Sequence, residues 1–218
     1  MRKVTYPLMI FAGLLVLACS RAETTVDDVV YRTVQAQGGA EALAAVEDQV
    51  STWDSKFVMP MGDEMMPMEA EMVITYKRPN KIRFESKGSD GMIMYVSVFD
   101  GTTGWQMMGP EAREMTQGEI EETLVMAETW IDGWHNYSEK GMELEMLQDS
   151  VMDGKSYHVI KVTDRFGNVS TNFCNIENGM VERSEMTMTD AMTLEKVAST
   201  MTFADYYKHD GFMMPQKV

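Results

Sequence analysis

Short segments in which apolar and polar residues alternate follow one another through most of the chain beyond about residue 50. Alternation with period two predicts half-buried β-strands, and pairs such as Asp100-Gly101, Asp153-Gly154 and Asp210-Gly211 are typical of hairpin turns. About eleven strands with such short connections indicate one large antiparallel sheet rather than a parallel α/β fold. The strand candidates are Val50–Met59, Met66–Lys77, Lys81–Lys87, Met92–Asp100, Thr103–Met108, Met142–Met152, Tyr157–Asp164, Val169–Ile176, Val181–Thr189, Lys196–Tyr207 and Phe212–Val218.

Two helical segments precede the strands, and one interrupts them. Thr25 with Asp28 three residues later resembles a capping box, which predicts a helix through Gln37. Gly38-Gly39 ends that helix, and Ala40–Val46 predicts a second, shorter one.

The segment Gln117–Trp130 carries an apolar stripe opposite its glutamates, which predicts an amphipathic central helix. A sheet of about eleven strands curls, and its concave apolar face needs a cover. The predicted fold is therefore mainly β with a helical lid (α+β). It is a curved antiparallel half-barrel of about eleven strands, covered by the N-terminal and central helices.

The N-terminus is typical of an exported protein. Arg2 and Lys3 precede an apolar stretch from about Pro7 to Ala18, which is too short to span a bilayer. Its end at Cys19 resembles the lipobox of bacterial lipoproteins. We therefore expect a signal peptide over 1–18, acylation of Cys19, a tether over 19–24 and one domain over 25–218. The alternative is a plain signal peptide with an incidental cysteine.

The charge and the reactive residues exclude several functions. With 19 Lys and Arg against 34 Asp and Glu, the net charge is −15, which argues against a nucleic-acid partner. An acidic protein does not bind anionic lipid by itself, so we expect the lipid anchor to provide membrane attachment. His135, His158 and His209 are isolated and match no catalytic motif, so we expect no enzyme activity and no cofactor. Cys174 is predicted to be a small core residue, because an acylated Cys19 leaves it no disulfide partner.

The chain contains 24 methionines, and alternation places many of them on the apolar face of the strands. The simplest interpretation is that they fill the core. Methionine nevertheless specifies shape poorly and suits surfaces that adapt to variable apolar ligands, such as acyl chains. The predicted lipid-binding residues are Met68, Met72, Ile74, Phe84, Met94, Met186, Met188, Met201 and Phe203, and the predicted lid residues are Leu124, Trp130 and Trp134.

Two alternative interpretations of the methionine-rich sequence stay open. Thioethers are soft ligands for Cu(I), and Met59, Met61, Met65 and Met66 could hold it in a hairpin loop, although no His or Cys flanks them. The second alternative is a structural envelope module whose concave side is filled by its own side chains.

Three stretches carry a resemblance to a known family: Tyr76–Phe84, Phe99–Trp105 and Phe203–Pro215. Together they resemble the outer-membrane lipoprotein-sorting proteins (LolA/LolB-like) from about Val26 onward. The resemblance implies a half-barrel with a helical lid that binds acyl chains of lipoproteins or other lipids and acts in lipoprotein sorting or lipid transfer. It also implies a lipoprotein carrier or transporter as partner. The lipobox favours an anchored form in the bacterial envelope, and Ser20 in place of an Asp points to the outer membrane.

The resemblance leaves two points open. In the soluble carriers of the family, a barrel arginine holds the lid through helix carbonyls. Arg83 is the nearest candidate here, but it alternates with Phe84, so that role is not assigned to it. Members usually continue beyond the last proline, so either the final strand pair is short or the sequence is a fragment ending at Val218.

Overall fold

The computed structural model describes residues 23–61, 64–108, 110–189 and 196–218, and within these ranges it leaves the side chains of residues 57–61, 64–65 and 188–189 undescribed. The predicted signal peptide, Cys19 and most of the tether lie outside the described residues. In the part of the chain that is described, no helix is long and apolar enough to cross a bilayer.

Three helices form in the segments where the sequence predicts them. The helices are α1 (Val26–Gln37), α2 (Ala40–Ala44) and α3 (Gln117–Thr129). Thr25 and Thr116 cap α1 and α3 in the same way. Each threonine side chain accepts a hydrogen bond from a backbone N–H of the first turn, and an acidic side chain of that turn accepts one from the backbone N–H of the threonine.

Six antiparallel strands form the first sheet, and they lie in the order of the chain. The strands are β1 (Asp48–Met61), β2 (Glu64–Lys77), β3 (Lys81–Gly88), β4 (Ile93–Phe99), β5 (Gly104–Met108) and β6 (Glu111–Glu114). Helix α3 packs on the face that carries Ile74, Ile82 and Phe99, which we call the inner face of the first sheet.

A second six-stranded sheet follows α3, in the order β12-β11-β10-β9-β7, with β8 also paired to β9. Its strands are β7 (Glu143–Met146), β8 (Ser150–Met152), β9 (Lys155–Thr163), β10 (Val169–Asn175), β11 (Val181–Thr189) and β12 (Lys196–Thr202). Its inner face, which carries Ile160 and Cys174, packs against Val29 of α1 and Val125 of α3. A small hairpin of β13 (Tyr207–His209) and β14 (Phe212–Met214) completes the described chain.

This architecture confirms the predicted fold class: antiparallel strands curve around helices in an open arrangement. The described residues contain fourteen strands rather than about eleven. Met142–Met152 divides into β7 and β8, and Lys196–Tyr207 ends early because β13 pairs elsewhere. Strand β6 was not predicted, because its sequence Glu-Ala-Arg-Glu has no apolar alternation.

Candidate functional site: the inner faces and their helical cover

Helix α3 lies directly on the inner face of the first sheet. Ala127 of α3 is 0% exposed and packs in one cluster with Ile74, Ile82 and Phe99, of which Phe99 is 1% exposed. The predicted hollow beneath the central helix is therefore closed at this point by the protein's own side chains. Four predicted site residues meet in this cluster, namely Ile74, Phe84, Leu124 and Trp130.

Trp130, just after α3, fixes the end of the helix to β1. Its ring stacks on Trp53 with a centroid distance of 6.2 Å and an interplanar angle of 20°. Its Nε1–H donates to Oε1 of Gln49 at 3.0 Å. Because Trp53 and Gln49 belong to the sheet, movement of this end of α3 would separate the two indoles.

The same helix also contacts the second sheet. Val125 packs with Ile160, so α3 covers both inner faces. Trp134 belongs to this side, where it packs in the clusters of α1 with Ile131 and Met142. It therefore contributes to the helical cover and shares the cluster that contains Tyr76 with Trp130, whereas of these two indoles only Trp130 also packs against Ile74 and Phe99.

The predicted methionines divide between the two sheets. On the first sheet, the register places Met72 opposite Trp53 and Ser86, in the row next to Ile74, and Met68 lies further along β2. Both methionine side chains are half-buried. Met94 is skipped by the register between Ser86 and Lys87, where the ladder shifts.

On the second sheet, Met201 lies opposite Ser184 and Met186 lies opposite Ser199, so both share the inner face with Ile160. Both side chains are half-buried, as is Phe203 just after β12. The side chain of Met188 lies outside the described residues.

The methionines of the copper alternative cannot be placed in the same detail. The strands β1 and β2 extend past the edge of β3, and in this extension the register pairs Met59 with Met66 and Pro60 with Met65. Met66 is exposed. The side chains of Met59, Met61 and Met65 lie outside the described residues, so the copper site stays a prediction from the sequence.

Arg78 makes a contact that sequence reasoning missed. It follows β2, and its guanidinium forms two hydrogen bonds to the carboxylate of Asp132, beyond α3, at 2.9 and 3.0 Å. The same guanidinium donates to the backbone carbonyls of Leu43 at 2.9 Å and Val46 at 2.8 Å, at the end of α2. One side chain thus ties the first sheet to the N-terminal helices and to the segment after α3.

The electrostatics agree with this geometry. Burial alone would raise the pKa of Asp132, but the hydrogen bonds from Arg78 hold that pKa below its ordinary value. Arg83, the candidate that the resemblance suggested, pairs with Glu85 on the opposite face of the sheet, so it cannot hold the helices.

A second arginine anchors the start of α3. Arg113 of β6 donates to both carboxylate oxygens of Glu119 at 2.6 and 2.8 Å, and Thr116 N–H donates to the same carboxylate at 2.7 Å. Glu119 is 5% exposed. The hydrogen bonds from Arg113 are the largest cause that lowers the pKa of Glu119 to about 2.

Two further ion pairs join α3 to the second sheet. Arg165, in the turn between β9 and β10, forms a two-point contact with Glu128 at 2.6 and 3.1 Å. Lys196 at the start of β12 pairs with Glu122. Acidic side chains along α3 therefore form ion pairs with arginine and lysine side chains from both sheets.

We expect Glu119→Gln to lower the free energy of unfolding by about 2 kcal/mol at pH 7, because Gln keeps the cap but loses the charge paired with Arg113. The folded-state pKa is depressed, so the stabilisation is present above the ordinary pKa of 4.5 and is lost as the pH falls toward about 2. Urea titrations at pH 7 and pH 3 test this, with Glu121→Gln on the same helix as control. If Glu119→Gln lowers the free energy of unfolding as much at pH 3 as at pH 7, this prediction is wrong.

Two openings accompany this packing. A cleft of about 500 Å³ lies beside the middle of β1 and β2 and the end of β3, and charged side chains, among them Lys56, Glu69, Glu71 and Lys87, line much of it. Because these side chains pair with one another, this cleft is not the apolar hollow predicted from the sequence.

The second opening, of about 10 Å³, borders Cys174 between α1 and the second sheet. Burial raises the pKa of the Cys174 thiol to about 12, so it stays protonated as the predicted core residue.

Comparisons with known proteins concern the fold. No family model matches the chain, and no curated protein matches it in sequence. Among the solved structures that match, three do so at similar levels. A LolA superfamily protein from Nitrosomonas europaea is 11% identical with a TM-score of 0.51, and the match covers 88% of this chain and 83% of that one.

A DUF1329 family protein from Desulfovibrio piger is 10% identical with a TM-score of 0.52, covering 88% and 84%. A Vibrio parahaemolyticus domain provisionally assigned to outer membrane lipoprotein sorting is 11% identical with a TM-score of 0.51, covering 86% and 81%. At these identities the match establishes architecture, and it agrees with the resemblance found in Tyr76–Phe84 and Phe99–Trp105. The chain therefore has the LolA-like fold.

Proposed function

We propose that this protein binds the acyl chains of lipoproteins or other lipids between the inner faces of its two sheets and α3. In this proposal the protein acts in lipoprotein sorting or lipid transfer in the bacterial envelope. It attaches to the outer membrane, facing the periplasm, through acylation at Cys19. A lipoprotein carrier or transporter would deliver or receive the cargo.

The observation that carries the proposal is the single helix over two apolar inner faces. Helix α3 contacts Ile74 and Phe99 on one side and the Ile160 cluster on the other. Half-buried methionines continue both faces beyond the helix, with Met72 and Met68 on the first sheet and Met201 and Met186 on the second. The LolA-like fold supports the same use of this surface.

In this structure α3 packs against both inner faces, so an acyl chain must displace the helix to reach them. The contacts that resist displacement are the Arg113–Glu119 and Arg165–Glu128 pairs and the Trp130 contacts with β1. A chain of about fourteen methylenes offers roughly 11 kcal/mol of gross burial, which can offset the cost of parting several such contacts. Binding and displacement of α3 are therefore a single coupled event in this proposal.

Lipid retention and indole fluorescence test the proposal together. The chain from residue 20 onward, which retains every described residue, is purified and examined by native mass spectrometry for bound lipid. Palmitate is then titrated while tryptophan emission is followed, with Trp105 and Trp134 changed to Phe. We expect bound acyl species and a change in emission as Trp53 and Trp130 separate. Protein free of lipid that also fails to bind palmitate would refute the proposal.

A matched pair of variants locates the site. Met72→Glu places a charge on the inner face, whereas Val73→Glu places it one position along, on the opposite face of β2. We expect the first to weaken palmitate binding at least about 10-fold, because an acyl chain would have to bury a carboxylate, and the second to leave binding nearly unchanged. Equal effects of the two changes would place the ligand elsewhere.

A further inference from the structure

One row of cross-strand neighbours on the inner face of the first sheet changes from apolar to cationic. From β2 to β6, the register places in this row Ile74, Phe84, Ser97, Gln106 and Arg113. Residues directly opposite each other on antiparallel strands lie on the same face. The face that α3 covers is therefore apolar over β2 and β3 and carries a positive charge at β6.

Helix α3 crosses the strands in the direction of this row. Near its start Glu119 pairs with Arg113, and just after its end Trp130 stacks on Trp53 of β1. Leu124 and Ala127, which lie between them, pack on the apolar part of the face. To the first sheet the helix thus presents one carboxylate followed by apolar side chains, which is the chemical outline of an ionised fatty acid.

The length of this contact matches one acyl chain. From position 119 to position 130 the helix rises about 16 Å, at 1.5 Å per residue. A bilayer core about 30 Å thick holds two acyl chains end to end, so each spans about 15 Å. A ligand in place of α3 could therefore reach Arg113 with its headgroup and Trp53 with the end of its tail.

The sheet itself orients Arg113. Its Nη2 donates to Oε1 of Gln106 at 2.9 Å, and its Nη1 donates to the carbonyl of Glu114 at 3.1 Å. The same two nitrogens bind the two carboxylate oxygens of Glu119, in a forked geometry that suits a carboxylate or a phosphate. When α3 is displaced, we expect the guanidinium to remain directed at the place of the lost carboxylate.

Other cations that pair with α3 lie less favourably. Arg165 belongs to a turn, where its guanidinium also lies 5.0 Å from the ring centroid of Phe166. Lys196 starts β12, and its side chain is 54% exposed. Both belong to the second sheet, so an acyl tail over Ile74 and Phe84 would not bring a headgroup to either of them.

We propose that the lipid bound under α3 has an anionic headgroup, a carboxylate or a phosphate, and that this group replaces the Glu119 carboxylate on Arg113. The inference rests on the proposed function and deepens it by naming the class of lipid. The acyl tail then lies where Leu124 and Ala127 pack in this structure. Because one carboxylate leaves with α3 as an anion enters, the positive charge of Arg113 stays paired, although the whole protein carries a net charge of −15.

Two pairs of ligands with equal acyl chains test the headgroup. Palmitate is compared with palmitamide, and 1-palmitoylglycerol 3-phosphate with 1-palmitoylglycerol, by titration of the chain from residue 20 onward. We expect the anion of at least one pair to bind at least about 10-fold tighter than its neutral partner, because charge-assisted hydrogen bonds replace those of Glu119. The pair with the larger preference identifies the source, a fatty acid or a phospholipid. A smaller preference in both pairs overturns the inference.

Variants of two arginines locate the headgroup. We expect Arg113→Gln to bind the anion and its neutral partner with equal affinity. The preference is a ratio of two affinities measured on one variant, so any lower cost of displacing α3 cancels. Arg165→Gln, which also removes a two-point contact with α3, is the matched control and should keep the preference. Arg113→Lys keeps the charge without the fork and should lower the preference in part, and it takes the place of Arg113→Gln if that variant does not fold.

The outcomes separate the two proposals. If the parent chain binds none of the four ligands, the proposed function fails. If it binds all four and the anions gain nothing, only the headgroup inference fails. An undiminished preference in Arg113→Gln, or an equal loss in Arg165→Gln, places the anion elsewhere and also overturns the inference.

Discussion

Arg78→Ala is expected to lower the free energy of unfolding by about 3 kcal/mol, because it removes one partner of a mostly buried ion pair. The change leaves Asp132 without its two hydrogen bonds and removes the donor from the carbonyls of Leu43 and Val46. Urea denaturation followed by tryptophan fluorescence measures the loss. Arg83→Ala is the control, since Arg83 pairs with Glu85 on the exposed face and should cost less than about 1 kcal/mol.

The same variant should change the behaviour of the lid. Without Arg78, the segment after α3 and the end of α2 are no longer tied to the turn after β2, so displacement of α3 needs less free energy. In stopped-flow experiments with palmitate, we expect the Trp53–Trp130 signal to change faster in Arg78→Ala than in Arg83→Ala. If both variants match the parent chain in stability and rate, Arg78 does not hold the helices.

Phe99→Ala is expected to cost about 3–5 kcal/mol, the range for large-to-small changes in a packed core. Phe99 is among the most buried side chains and lies beneath α3 with Ala127, so truncation removes contacts on both the sheet and the helix. Val98→Ala, one residue earlier and on the opposite face of β4, should cost about 1 kcal/mol. Differential scanning calorimetry of both variants makes the comparison.

The size of the Phe99 effect also tests how α3 is seated. A large loss means that the helix depends on direct packing against the sheet, so a ligand must replace those contacts. A loss no greater than that of Val98→Ala would mean that α3 rests loosely on the face, contrary to the packing described above.

The strands could be predicted because their signals are local. Alternation in Met66–Lys77 placed Met72 and Ile74 on one face, and the register agrees. The capping box at Thr25 predicted the start of α1, and the apolar stripe over Gln117–Trp130 predicted α3, for the same reason. Strand β6 escaped prediction because its stability comes from pairing with β5 and from the contact of Arg113 with Glu119, and its own pattern is entirely polar at the ends.

The role of Arg78 depends on contacts far apart in the sequence. Its partners Val46, Leu43 and Asp132 lie 32, 35 and 54 residues away, so no local pattern links them. The available signal was an arginine directly after an apolar strand and before Pro79, where a side chain can reach across the end of the sheet. The packing of α3 against Phe99 could not be predicted either, because alternation assigns a residue to one face of a strand but does not show which element covers that face.

Each of the two sheets comes from one uninterrupted stretch of the chain, Asp48–Glu114 for the first and Glu143–Thr202 for the second. Most strand pairs are hairpins of consecutive strands, so relative contact order within each sheet is low for a β-protein and each can grow hairpin by hairpin. Contacts of α1 and α3 with the sheets join more distant parts of the chain, so we expect them to form after the hairpins. The cover would thus be the last part of the molecule to fold, and the first to come loose when the folded protein fluctuates.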